Sequence, residues 1–160
     1  MKRQRAYVSA AMPAVAALLV SGAVGAQNGL DRVAGAYEIY VGITPAAVIA
    51  RNYAPGSSER TMHGGVPSNP GDQHVMIAVF NRDTGQRVGN ATVTAKVWST
   101  DGRSVPVQRK PLQSMSIAGS VTYGNYFFMP SSGRYDVRLS ISVPGLPHTA
   151  TTFTYAVAGT

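Results

Sequence analysis

RYDVRLSISV, from Arg134 to Val143, alternates without interruption: Tyr135, Val137, Leu139, Ile141 and Val143 fall on one side, Arg134, Asp136, Arg138 and Ser140 on the other. Side chains of an extended chain point alternately to opposite faces, so this pattern marks a strand with one face buried and the other in water. A helix would spread the same apolar residues around its circumference. The reading extends outward along the chain. In AYEIYVGI, Ala36 to Ile43, the residues Tyr37, Ile39, Val41 and Ile43 share one face, and in NATVTAKVWST, Asn90 to Thr100, Ala91, Val93, Ala95 and Val97 do. HVMIAVFN, His74 to Asn81, is almost wholly apolar and predicts a strand covered on both sides. TATTFTYAV closes the chain in the same style, and further strands are expected at Val48–Tyr53, near Val105–Arg109 and at Tyr123–Met129. Asp83-Thr84-Gly85, Asp101-Gly102, Ser131-Ser132-Gly133 and Pro144-Gly145 separate these runs with turn chemistry. No amphipathic helix is expected. The fold class is therefore all-β, an immunoglobulin-like antiparallel sandwich of about seven strands.

The first 26 residues read differently. Lys2, Arg3 and Arg5 precede an apolar run, AAMPAVAALLV, and then Val24-Gly25-Ala26. That order is a secretory leader with a V-x-A cleavage site after Ala26; the alternative, retention as an uncleaved anchor, suffers from a run too short and too Ala-rich to span a bilayer. Cleavage leaves residues 27–160 as a single sandwich domain and, by loss of those three cations, lowers the formal net charge from +7 to +4. There are no cysteines. An exported domain without disulfides must rely on its core, and this composition suits a bacterial periplasm.

Charge and motif exclude several functions. The remaining Lys and Arg are scattered along the chain, with only Arg109-Lys110 adjacent, so no nucleic-acid groove is expected. No G-x-S-x-G elbow, phosphate loop or paired carboxylates appear, so no enzyme is expected. What stands out is MHGGVPSNPGDQHVM, Met62 to Met76, where two of the chain's three histidines lie within two residues of a methionine. Thioether sulfur is a soft, neutral ligand that favours Cu(I), and imidazole serves copper in either oxidation state. In a chain without thiolates, His plus Met is the available soft-metal chemistry. His74 and Met76 are two apart and face the same way on a strand, whereas Met62 and His63 lie in a Gly/Pro-rich loop. Against this stand ordinary readings: Met76 as core filling, His63 and His148 as solvated loop histidines, and Tyr123, Tyr126, Phe127 and Phe128 as core or rim aromatics.

PLQSMSIAGSVTYGNYFFM, followed by GRYDVRLSISVPG and the closing FTY, resembles the periplasmic iron-transport proteins of the Tp34-like group. The shared features are Leu112, Met115, Tyr123-Gly124 and Met129, then a strand opening on Tyr135, a Pro-containing turn, His148 and a last aromatic strand. The resemblance implies an exported immunoglobulin-like sandwich, usually dimeric, that binds copper through His and Met and assists iron uptake. It carries the ligand roles to Met115, His148 and His74. Thr122 stands where that group has a histidine before Tyr-Gly, so Met76 or His63, and less directly Met129, would substitute. Small YtkA-like and FixH-like domains share the same look and imply copper handling without iron.

The expected function is thus a periplasmic, non-catalytic metal-binding protein, with copper held by His74, Met115 and His148 and the loop from Met62 to Asp72 as a lid. Its expected partners are a metal transporter or another envelope protein, with a homodimer possible. The rival is a metal-free structural or interaction module that presents its loops, an edge strand or the YGNYFF aromatics to a protein. The two readings part on whether His74, Met115 and His148 converge.

Overall fold

A computed structural model describes residues 29–117 and 119–158. The leader and its cleavage site lie outside the described residues. Eight strands follow in order: β1 (Asp31–Ala34), β2 (Tyr37–Pro45), β3 (Asp72–Asn81), β4 (Thr92–Ser99), β5 (Gln108–Ile117), β6 (Ser120–Phe128), β7 (Arg134–Ser142) and β8 (Thr149–Ala156). All pairings are antiparallel, in the spatial order β1-β2-β3-β6-β5-β4-β7-β8. The all-β sandwich is as expected, with one strand more: the short edge strand β1, too brief to show a period.

The alternating residues do what their spacing demands. Tyr37, Ile39 and Val41 of β2, Val93, Ala95 and Val97 of β4, and Tyr135, Val137, Leu139 and Ile141 of β7 are all buried in one core with Phe127 and Phe153. Burial of a large apolar side chain contributes about 1.5–3 kcal/mol, so a domain with this many needs no disulfide. Strand β5 joins the two layers. Its first half, Gln108–Leu112, pairs with β4, and its second half, Gln113–Ile117, pairs with β6. Where β5 leaves β6, side chains replace the ladder: the Gln108 amide donates to Phe128 O and accepts from Phe128 N–H, and Lys110 Nζ donates to Tyr126 O at 2.6 Å. Backbone groups at the divergence are thereby satisfied. The expected strand at Val105–Arg109 thus begins later and runs through Met115, a stretch whose change of layer breaks the period.

At the base of β7 the Tyr135 hydroxyl donates to Pro130 O at 3.1 Å, the tyrosine corner of immunoglobulin-like domains. Gly133 lies against the same ring, leaving no room for a Cβ. Tyr135→Phe is expected to lower unfolding free energy by about 1 kcal/mol, the net worth of one hydrogen bond, measurable as a shift in the urea midpoint; an unchanged midpoint would mean that the corner is held by packing alone.

The connection between β2 and β3 corrects another expectation. Val48–Tyr53 is not a strand; Ala46–Asn52 forms helix α1, followed by α2 (Ser58–Thr61) and a 3₁₀ turn at Met62–Gly64. Ala46 and Ile49 are three apart, so one helical face buries both, and with Val66 they pack on Tyr126 of β6. Six residues are too few to distinguish a strand from a short helix by period. The connection lies over the outer face of the first sheet and covers the start of β3. No helix among the described residues is long and apolar enough to cross a membrane.

Candidate metal centre

Register determines which side chains share that covered face. Across β3–β6, His74 faces Tyr126 and Met76 faces Gly124; across β5–β6, Gln113 faces Gly124 and Met115 faces Thr122. Cross-strand partners point to the same side of a sheet. Val75 and Ile77 enter the core, so His74, Met76, Gln113, Met115, Thr122 and Tyr126 surround Gly124 on the outer face.

His63 closes over this patch. It lies in the 3₁₀ turn with φ 60° and ψ 25°, ahead of Gly64 and Gly65, whose φ values are also positive. A left-handed conformation costs a non-glycine residue roughly 1–2 kcal/mol, and such outliers gather at functional sites. Here it turns the imidazole onto β5. His63 Nε2 lies 3.0 Å from Met115 Sδ, and Nδ1 lies 3.0 Å from Gln113 Oε1. With the Gln113 amide in this assigned orientation, Nδ1–H is the donor to its carbonyl oxygen, and the lone pair of Nε2 faces the sulfur. Two lone-pair donors then point at each other, which a cation between them would relieve. Bonds of ~2.0 Å to nitrogen and ~2.3 Å to sulfur at a tetrahedral angle put two donors on one ion ~3.5 Å apart, so the pair has only to open by about half an ångström to take one.

His74 completes the group. Its ring centroid is 5.2 Å from that of His63 and 4.8 Å from that of Tyr126. It is only 4% exposed. His74 Nε2, Thr122 Oγ1 and the Tyr126 hydroxyl are buried with no hydrogen-bond partner among the described residues. Unsatisfied groups of this kind are uncommon in native folds, and three share one face here. Burial, with a smaller contribution from His63, pushes the His74 imidazole down from 6.5 to about 4. Burial also lowers His63, against the opposing effect of its hydrogen bond to Gln113. Both rings are therefore neutral at neutral pH and keep a lone pair for a ligand role.

Gly124 provides the floor. A Cβ there would lie 2.8 Å from His74 Nε2, 2.8 Å from Met115 Cε and 3.2 Å from Val75 O. Any side chain would displace both donors. Gly124→Ala is expected to weaken metal binding at least tenfold and to destabilise the fold by about 1–3 kcal/mol, the usual cost of overpacking; a variant that binds metal like the parent would show that the donors do not use this space.

A cavity of about 200 Å³ opens beside His74, with Met76, Met62, Ile49 and Glu59 in its wall. Met76 thus borders the centre instead of filling the core. Met129 does fill it: fully buried in the main cluster, it has no access to this face. His148 is elsewhere too. Its Nε2 lies 2.7 Å from Ser140 Oγ on the exposed face of β7, in the second layer. The structure therefore brings together His74 and Met115, leaves His148 out and supplies His63. The reason is topological: β7 pairs with β4 and β8 with β7, whereas His74 and Met115 lie on strands flanking β6. Of the YGNYFF aromatics, Tyr123 and Phe127 are core residues and Tyr126 is covered, which leaves Phe128 half-buried at the surface. His63 was expected only as a substitute ligand, and the structure puts it in the place expected of His148.

The donor set is soft. Among the described residues no three of His, Cys, Asp and Glu are grouped to hold a metal. Two neutral imidazoles and one thioether fit copper better than zinc, iron or the hard divalent ions.

No protein-family model matches the chain, and no curated protein matches it. Solved structures do share its fold. A DUF4426 family protein from Pseudomonas aeruginosa aligns at 13% identity with a TM-score of 0.60, covering 80% of this chain and 93% of its own. A copper-bound variant of FetP from uropathogenic Escherichia coli aligns at 15% identity and TM-score 0.59, over 83% and 97%. The copper-reconstituted P19 protein from Campylobacter jejuni aligns at 13% identity and TM-score 0.59, over 81% and 94%.

Proposed function

We propose that this chain is an exported, non-catalytic copper-binding protein of the periplasm. The observation that carries the reading is the meeting of His63 Nε2 and Met115 Sδ at 3.0 Å beside the unpartnered Nε2 of His74. The fold, shared with structures of copper-bound FetP and P19, supports it. His63, His74 and Met115 would hold the ion, with Met76 and Met62 at its margin. Copper is here the cargo. Neutral ligands leave the charge of Cu(I) uncompensated, which favours surrender to a thiolate-bearing partner. Such a partner, a metal transporter or another envelope protein, fits a protein that handles metal without transforming it. Support of iron uptake and a homodimer are the wider roles that the Tp34-like resemblance implies.

The test is titration of the purified protein with Cu(I) under reducing conditions, against a competing chelator. Binding tighter than about 1 μM, or about 8 kcal/mol, is expected, and lost on His74→Ala. Affinity weaker than that, or unaltered by the substitution, defeats the reading.

A further inference from the structure

The exposed face of the second layer holds a different chemistry. Thr94, Lys96, Arg109, Arg138 and Ser140 line a cavity of about 280 Å³. Lys96 on β4 sits directly between Arg109 on β5 and Arg138 on β7, and Thr94 pairs with Ser140 beside them. Their sequence neighbours Ala95, Val97, Val137 and Leu139 enter the core, so these residues all project outward. Like charges directly opposite each other on a sheet are destabilising, and Lys96 has one on each side. No carboxylate offsets them: among the described residues the ion pair is Arg103–Asp101, at the far turn. Asp136, the acid nearest along β7, lies opposite Trp98, and its Oδ1 accepts from the Thr154 hydroxyl at 2.7 Å. The Ser140 hydroxyl is held by His148 at 2.7 Å.

We infer that this cavity binds a small multivalent oxyanion of the phosphoryl class. Two guanidinium forks and an ammonium supply charge and directed donors, and the Thr94 hydroxyl supplies a neutral one. The volume is near the lower end for ligand pockets, about 300 Å³, which suits a compact anion and not a polymer. The site uses none of His63, His74 and Met115 and stands whether or not copper binds.

Calorimetric titration with inorganic pyrophosphate in low-salt buffer tests it. Saturable binding is expected, weakened about tenfold or more in Arg109→Gln/Arg138→Gln, as loss of charged hydrogen bonds predicts. A control, Arg51→Gln/Arg60→Gln, removes the same charge from the β2–β3 connection and should bind like the parent. Arg51, Arg109 and Arg138 are exposed and Arg60 is half-buried, and thermal denaturation verifies that both variants fold. Absence of saturable binding, or equal weakening in both variants, overturns the assignment. Sedimentation with phosphatidylglycerol vesicles, against phosphatidylcholine, separates two sources of the ligand. Capture that depends on Arg109 and Arg138 assigns a lipid headgroup; pyrophosphate binding without capture assigns a soluble anion.

Discussion

Met115→Leu lowers Cu(I) affinity by roughly a hundredfold or more, since loss of an outer-shell partner alone costs 10–100-fold at metal sites and Met115 supplies a donor atom itself. Leu fills nearly the same volume, so the metal-free fold should lose less than about 1.5 kcal/mol. The effect is thus chemical, not structural: the thioether 3.0 Å from His63 Nε2 disappears while the packing over Gly124 remains. His148→Ala provides the contrast. That histidine is bonded to Ser140 in the other layer, and its removal should leave the affinity unchanged. Chelator competition on both variants decides the matter. If His148→Ala weakens binding as much as Met115→Leu does, the metal does not sit under the His63 turn.

The metal-free protein loses roughly 3 kcal/mol of stability as pH falls from 6.5 to about 4, by the shift of His74. The unfolded chain takes up a proton at this imidazole near 6.5, whereas the folded one resists until about 4. Between these values the unfolded state binds more protons, so stability declines as pH drops and levels off below the folded value. His63, lowered in the same sense by burial, adds to the slope. Asp101, held down to about 2 by the Ser99 hydroxyl, the Arg134 amide and Arg103, contributes chiefly as pH falls below its ordinary value of 3.8, under this window. Urea midpoints measured across the range should show a clearly flatter profile for His74→Gln. Parallel profiles for variant and parent would show that His74 is not buried as described.

The layers of the sandwich were legible wherever one face of a strand meets the core and the other meets water. Arg134 to Val143 is the clearest case, and Tyr37 to Val41 and Val93 to Val97 follow it. Legibility failed where that contrast failed. Val48–Tyr53 is half-covered and too short to show a period, and it became part of a helix. Gln108 to Ile117 changes layers midway, so its two halves obey different neighbours.

By itself the sequence determined the class of fold, the reliance on a core without disulfides, and the soft chemistry of its candidate ligands, because these follow from residue type and from a local period. Only the tertiary structure decided which donors meet. His74 and Met115 lie 41 positions apart, yet share a face because β3 and β5 both pair with β6; His148 was carried to the other layer because β8, which follows it, pairs with β7. His63 reached the centre through a left-handed turn that no periodicity announces. The cations Lys96, Arg109 and Arg138, scattered along the chain, became neighbours by register alone. Long-range pairing is a property of the whole set of strands competing to bury their apolar faces, and no single segment encodes its outcome.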